Sequence, residues 1–167
     1  QVLTRDDGTI KNIRLIDKTN IHRNKLQVIR QFAIDTGERK NRYDVTILVN
    51  GLPLIHIELK RRGKALREAF NQIDRYQRDS FHAAAGDGLF GYVQIFIISN
   101  GAHTKYYSNT VRLQHLTENH GQRREVKAAN ARSFEFTSWW TDAANNQIPE
   151  LTDFTATFLA QRTVLSI

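Results

Sequence analysis

From Thr9 to Ile34 apolar residues recur between polar ones, Ile10, Ile13 and Leu15 in one stretch and Leu26, Val28, Phe32 and Ile34 in the next, a strand-like pattern that keeps the period of two from Leu26 onward. Thr36 to Asn41 is polar and reads as a turn. Asp44 to Val49 and Leu52 to Lys60 flank Asn50 and Gly51, a dipeptide suited to positive φ at a reversal, so the spacing predicts a β-hairpin. Leu66, Phe70, Ile73 and Phe81, with Ala65, Ala69 and Tyr76 beside them, predict an amphipathic helix from Lys64 to His82. Tyr92 to Ile98 is short and almost continuously apolar, as a central strand covered on both faces should be. Ser99 to Gly101 turns that strand into a partner at Thr104 to Tyr107. Residues 117–132 carry Arg123, Arg124, Lys127 and Arg132 with little apolar content and read as a solvated loop. Pro149 and Glu150 open a last helix whose buried face is Leu151, Phe154, Phe158 and Leu159, ending near Arg162. This order of elements predicts one mixed α/β domain over 1–167.

Composition narrows the chemistry. Without cysteine the chain has no disulfide, no cysteine-based zinc site and no thiol nucleophile. No apolar run approaches the length of a membrane span, and no secretory signal opens the chain, so a membrane partner is not expected. Lys and Arg number 24 against 17 Asp and Glu, a formal charge of +7 that favours a polyanion, nucleic acid first, as partner. Methionine is absent and the chain opens on Gln1, so it reads as a piece of a longer protein.

Within the expected hairpin, Asp44, Glu58 and Lys60 are the residues that bear chemistry. Alternation puts Ile55, Ile57 and Leu59 toward the core and Glu58 and Lys60 on the other face, while Val45, Ile47 and Val49 leave Asp44 off the core. A plain two-residue turn sets Asp44 opposite Ile57 and mixes the faces. A one-residue shift, by a longer loop or a bulge, sets Asp44 opposite Glu58 and Val45 opposite Ile57, and that register is the expected one. Opposed carboxylates repel unless a cation lies between them, and oxygen ligands with open positions suit Mg²⁺. Such a centre, with a lysine beside it, fits hydrolysis of a phosphodiester; an ion-pair ladder on an exposed sheet face is the plain alternative. Gln72 and Tyr76, four apart, share a helix face and reach the same edge. Between Lys60 and Arg78 the basic residues Arg61, Arg62, Lys64, Arg67, Arg75 and Arg78 outnumber Glu68 and Asp74, a charge run suited to DNA phosphates.

The ordered set Asp44, Glu58-Leu-Lys60 and Gln72-Ile-Asp-Arg-Tyr76 resembles the D…ExK plus QxxxY signature of the RecB-like branch of PD-(D/E)xK nucleases. The stretch Arg42 to Leu54, with Ile57 to Lys60 and Arg67 to Ile73, is similar to the nuclease domain of the restriction (motor) subunit of type I restriction-modification enzymes, and Phe96 to Gly101 and Asp153 to Phe158 extend the likeness. The resemblance implies a restriction-endonuclease-like α/β core, a central mixed β-sheet flanked by helices. It implies Asp44 and Glu58 as Mg²⁺ ligands, Lys60 as the catalytic lysine and Gln72 and Tyr76 as a supporting pair. It further implies cleavage of double-stranded DNA by a cytoplasmic prokaryotic enzyme. The parent chain would use ATP to translocate DNA and have specificity and methyltransferase subunits as partners, with 149–167 leading toward the motor domain. Tyr43 stands where the superfamily's proline would precede the first acid. ATP itself is not expected to bind here, since Gly63-Lys64 is followed by Ala65 and lacks the upstream glycine of a phosphate loop. A noncatalytic DNA-binding or docking module and a RecB-like nuclease of a repair helicase are the alternatives.

Other signals carry less. His56 projects with Glu58, which admits a role supporting that carboxylate, but the preferred reading is a half-exposed strand residue with no role; His115 and His120 are expected as solvated loop histidines, and Trp139 and Trp140 as core or subunit contacts.

Overall fold

The computed structural model describes residues 2–12, 15–35, 40–77, 81, 88–118 and 134–165. A five-stranded sheet runs in the order β3 (Leu26–Asp35), β4 (Lys40–Val49), β5 (Leu52–Leu59), β6 (Ile95–Ser99), β7 (Thr104–Ser108). Only β5 and β6 pair in parallel, with α1 (Leu66–Tyr76) in the crossover between them; the other neighbours are antiparallel. The first strands, β1 (Val2–Thr4) and β2 (Ile10–Asn12), form a separate two-stranded sheet. Three helices complete the described chain: α2 (Asn109–Glu118), α3 (Leu151–Phe158) and α4 (Gln161–Val164). This is the mixed α/β architecture the sequence predicts. No helix among the described residues is long and apolar enough to cross a membrane.

Both faces of the sheet are covered over its central strands, each by a layer of different chemistry, while the edge strand β3 leaves Val28 and Phe32 exposed. On one side Phe70, Ile73 and Tyr76 of α1 pack with Tyr43, Phe81, Phe90, Phe96 and Tyr107 into an aromatic layer. On the other, Ile47, Val49, Ile55, Ile57, Ile95 and Ile97 meet Phe154 and Phe158 of α3. Burial of each of these large side chains stabilises the fold by about 1.5–3 kcal/mol. Trp140 packs edge-on against Phe158 and donates its indole N–H to Thr157, the core role expected of it, while Trp139 lies 5.1 Å from the Lys105 ammonium.

The hairpin turns on Asn50 and Gly51, at φ +52° and +88°, and the register shifts once between Ile47 and Leu48. Val49 pairs with Leu52 and Leu48 with Pro53, but Ile47 pairs with Ile55 and Val45 with Ile57, so Leu54 is the extra residue of a bulge. The tight turn and the shifted register coexist because the bulge supplies the offset.

Side-chain alternation breaks at one further rung. Ile29 and Phe32, three apart on β3, both meet the aromatic layer, and so do Tyr43 and Thr46 on β4, the first through its ring and the second through His56. An odd spacing on one face requires a flip between them. It lies at Gln31, a non-glycine residue at φ +52°, and at Asp44, and the ladder skips that rung while pairing Arg30 with Val45 and Phe32 with Tyr43.

Several boundaries differ from those expected. Gly63, at φ +84°, holds a turn in which Lys64 N–H reaches the Arg61 carbonyl, so α1 starts at Leu66 rather than at Lys64. Leu89–Tyr92 forms a 3₁₀ turn, which moves the start of β6 to Ile95. Helix α2 was not expected, because its apolar residues are sparse, and Val111 and Leu113 are exposed. It carries His115, whose ring lies 5.2 Å from that of Phe136, so this histidine is not in a loop. His120 and most of the basic stretch at 117–132 lie outside the described residues, as do 78–80 and 82 at the end of the expected long helix.

Candidate active site

Near the end of β5, Glu58 faces the aromatic layer and its side chain is 0% exposed. An exposed ion-pair ladder is thereby ruled out for this residue. Lys60 Nζ donates to Glu58 Oε1 at 2.9 Å and also to Gln72 Oε1 on α1. Gln72 Nε2 donates in turn to Tyr76 Oη, and Tyr76 donates to the Arg42 carbonyl at 2.8 Å. Four side chains from a strand end and a helix thus form one directed chain that returns to β4, two residues before Asp44. The i, i+4 spacing of Gln72 and Tyr76 makes the middle link possible.

Asp44 is half-buried on the neighbouring strand, and its Oδ2 accepts the Leu59 N–H at 2.9 Å. The β4–β5 ladder stops at Val45–Ile57, one rung short of Asp44 and Glu58, and the bond to Leu59 takes over where the ladder ends. Beside it Arg30, Gln31, Asp44, Val45, Leu59, Lys60 and Arg61 line an open cleft of about 410 Å³. A larger cavity, about 540 Å³, opens on the aliphatic face among Leu54, Tyr106, Trp140 and Phe158, but no carboxylate lines it, so the chemistry belongs to the smaller cleft.

Burial pushes the Tyr76 hydroxyl above its ordinary pKa; the negative charges of Glu58 and Asp44 act in the same direction, against the Gln72 hydrogen bond and Arg75. The phenol therefore stays protonated and remains a donor to Arg42.

His56 departs from expectation. It is 0% exposed, because the face of β5 that would otherwise meet solvent lies under Tyr43, Tyr76, Phe81 and Phe96, whose ring centroids are 5.5 to 6.5 Å away. Its Nδ1 is 3.3 Å from Thr46 Oγ1 and its Nε2 is 3.6 Å from Glu58 Oε2. The second separation is too long for a hydrogen bond, and both Nε2 and Oε2 are buried without one.

The basic residues divide. Arg61 lines the cleft, and Arg30, absent from the expected set, joins it there; a charged residue in an otherwise alternating strand was the available signal. Arg62 points elsewhere, with an ion pair to Glu150 at 2.8 Å and its stem beside Gly101. Lys64 sits 3.9 Å from Glu68, and the Arg75 guanidinium lies 5.4 Å from the Tyr76 ring centre. Arg78 lies outside the described residues.

Among the described residues no three or more His, Asp or Glu side chains converge as a metal cage. What they offer is an oxygen-only pair, with one oxygen, Glu58 Oε2, buried and unpartnered. Mg²⁺ is commonly held by one or two carboxylates and keeps several waters, so such a donor set fits it.

The sequence profile described as "Type I restriction enzyme R protein N terminus" matches residues 1–115. The chain is 49% identical over 162 residues to the "Type I restriction enzyme EcoprrI endonuclease subunit" of Escherichia coli, which covers 97% of this chain and 46% of that one. It is 43% identical over 157 residues to the "Type I restriction enzyme SsaAORF53P endonuclease subunit" of Staphylococcus saprophyticus, 94% of this chain and 14% of that protein. A more distant relative, the "Putative type I restriction enzyme MjaIXP endonuclease subunit" of Methanocaldococcus jannaschii, is 30% identical over 103 residues, covering 59% of this chain and 9% of that one. The chain thus spans less than half the length of each of these relatives, and it belongs to the family of type I restriction enzyme R protein N-terminal regions.

Proposed function

We propose that this chain is the nuclease domain of a type I restriction enzyme and cuts the backbone of double-stranded DNA with Mg²⁺ as cofactor. The observation that carries this reading is the bonded series from Glu58 through Lys60 and Gln72 to Tyr76, anchored in the protein interior and opening at Asp44 and Lys60 onto a cleft with two arginines. Asp44 and Glu58 would hold the magnesium ion, which when bound would neutralise charge on a phosphodiester oxygen and acidify a water. Lys60 has three ammonium hydrogens, of which Glu58 and Gln72 take two. The third is left for the substrate, a phosphate oxygen or the attacking water. Gln72 and Tyr76 fix the lysine, since the amide can accept from Lys60 only while its other end donates to the tyrosine. Arg30 and Arg61 would attract the phosphate backbone and fix its position without reading bases.

The whole enzyme's DNA translocation with ATP, and its specificity and methyltransferase partners, belong to the same proposal. Support for them comes from the names of the relatives, which describe subunits, and from the likeness of motifs. In the assembled enzyme, Asp44→Asn, Glu58→Gln and Lys60→Met should each lower DNA cleavage by about 10²–10³-fold or more, the scale for losing one group that stabilises a developing charge. ATP turnover and DNA binding should persist. Undiminished cleavage in these variants would leave a noncatalytic docking module in its place.

A further inference from the structure

Two polar atoms sit buried and unpartnered at the centre of the site, His56 Nε2 and Glu58 Oε2, and they face each other across 3.6 Å. Neither side chain has any exposure, so bulk solvent does not reach them. Buried polar groups in folded proteins nearly always find partners, and a movement of a few tenths of an ångström would make each of these the partner of the other. Only one ring tautomer allows it. With Nε2 bare, its lone pair would face those of the carboxylate. With hydrogen on Nε2 the imidazole donates to Oε2, Nδ1 becomes an acceptor, and the Thr46 hydroxyl at 3.3 Å is the donor in reach. Glu58 would then be gripped at both oxygens, by Lys60 at Oε1 and by the imidazole at Oε2.

We propose that His56 is a positioning residue, which as the Nε2–H tautomer fixes the plane of the Glu58 carboxylate from the side opposite Lys60. This rests on the reading of Glu58 as a magnesium ligand. Each carboxylate oxygen has two acceptor directions, so the bond from His56 leaves Oε2 able to ligate. Hydrogen bonds to a ligating carboxylate orient it, and their loss weakens metal affinity. The aromatic walls add to this, because Tyr43, Phe81 and Phe96 hold the ring edge-on and restrict its rotation.

The test uses the isotopically labelled 167-residue chain. Ring nitrogen chemical shifts of His56 in metal-free protein should report hydrogen on Nε2 and none on Nδ1; the opposite tautomer overturns the proposal. MgCl₂ is then titrated while following the Leu59 amide, whose hydrogen rests on Asp44. His56→Phe should weaken Mg²⁺ binding by about 10–100-fold, and His56→Gln, which keeps an N–H donor, should stay within about threefold of the wild type. Equal losses in the two variants would assign His56 to packing alone and overturn the proposal. Glu58→Gln separates the two readings. If it abolishes the Leu59 response while His56→Phe retains wild-type affinity, Glu58 remains a ligand and the role of His56 falls. If Glu58→Gln binds Mg²⁺ as well as wild type, both fall. Should His56→Phe fail to fold, the tautomer and His56→Gln decide.

Discussion

A carboxylate removed from water is stable only when partners replace its hydration, and Glu58 has an ammonium on one oxygen while the other waits. Of the residues at the site, the sequence did not mark Arg30, and it placed His56 beside Glu58 but favoured a half-exposed histidine with no role. Alternation put His56 on the same face of β5 as Glu58, but that face is a second core face rather than an open one, and its burial depends on Tyr43, Phe81 and Phe96, which come from three distant stretches of chain. Two other hydroxyls carry a testable consequence. Burial raises the Tyr107 pKa far above the ordinary 10.0 and raises that of Tyr76 in the same direction. A raised acid binds more protons folded than unfolded, so its contribution is fully present below pH 10.0 and is lost as pH climbs through the folded value. Denaturant midpoints should therefore hold level toward pH 10 and fall beyond it, with Tyr107→Phe flattening that alkaline decline.

Among the elements, the hairpin was legible because its turn chemistry and its apolar period agreed; the bulge at Leu54 follows from requiring both at once. Helix α2 was not, since its fit depends on contacts across the fold such as the Arg112–Asp74 pair to α1. The α1 start was obscured by Lys64 and Ala65, both good helix formers held instead in the turn after Gly63. Glycine and non-glycine residues in the left-handed region offer a paired prediction. Gly51→Ala at φ +88° has open space around the added methyl, so its whole cost is conformational, about 1–2 kcal/mol in a denaturant titration. Gln31→Gly should be neutral or stabilising by up to about 1 kcal/mol, because it relieves the same strain, whereas glycine at regular strand positions costs about 0.5–1 kcal/mol.

Across the whole molecule, a sheet clad in rings on one side and branched aliphatics on the other presents its open cleft at the exposed end of β5. The expected basic run splits around that cleft, because the turn at Gly63 reverses the chain: Arg61 faces it and Arg62 reaches Glu150 at the head of α3. Charge counting along the sequence had no means of separating neighbours. DNA binding by the assembled enzyme should separate them, since Arg61→Ala ought to reduce the slope of log affinity against log salt by about 1, and Arg62→Ala ought to leave it unchanged. Loss of the exposed Arg62–Glu150 pair should alter stability by no more than about 1 kcal/mol.

The flipped rung at Gln31 and Asp44 places a limit on how such a domain can change over time. Two strands reverse their facing at the same level, so a residue gained or lost in β4 would put its core-facing side chains, Tyr43 on one side of the sheet and Ile47 and Val49 on the other, out of step with the layers they meet. Length should therefore change more readily at the turns than at this rung, which should accept substitution more readily than insertion.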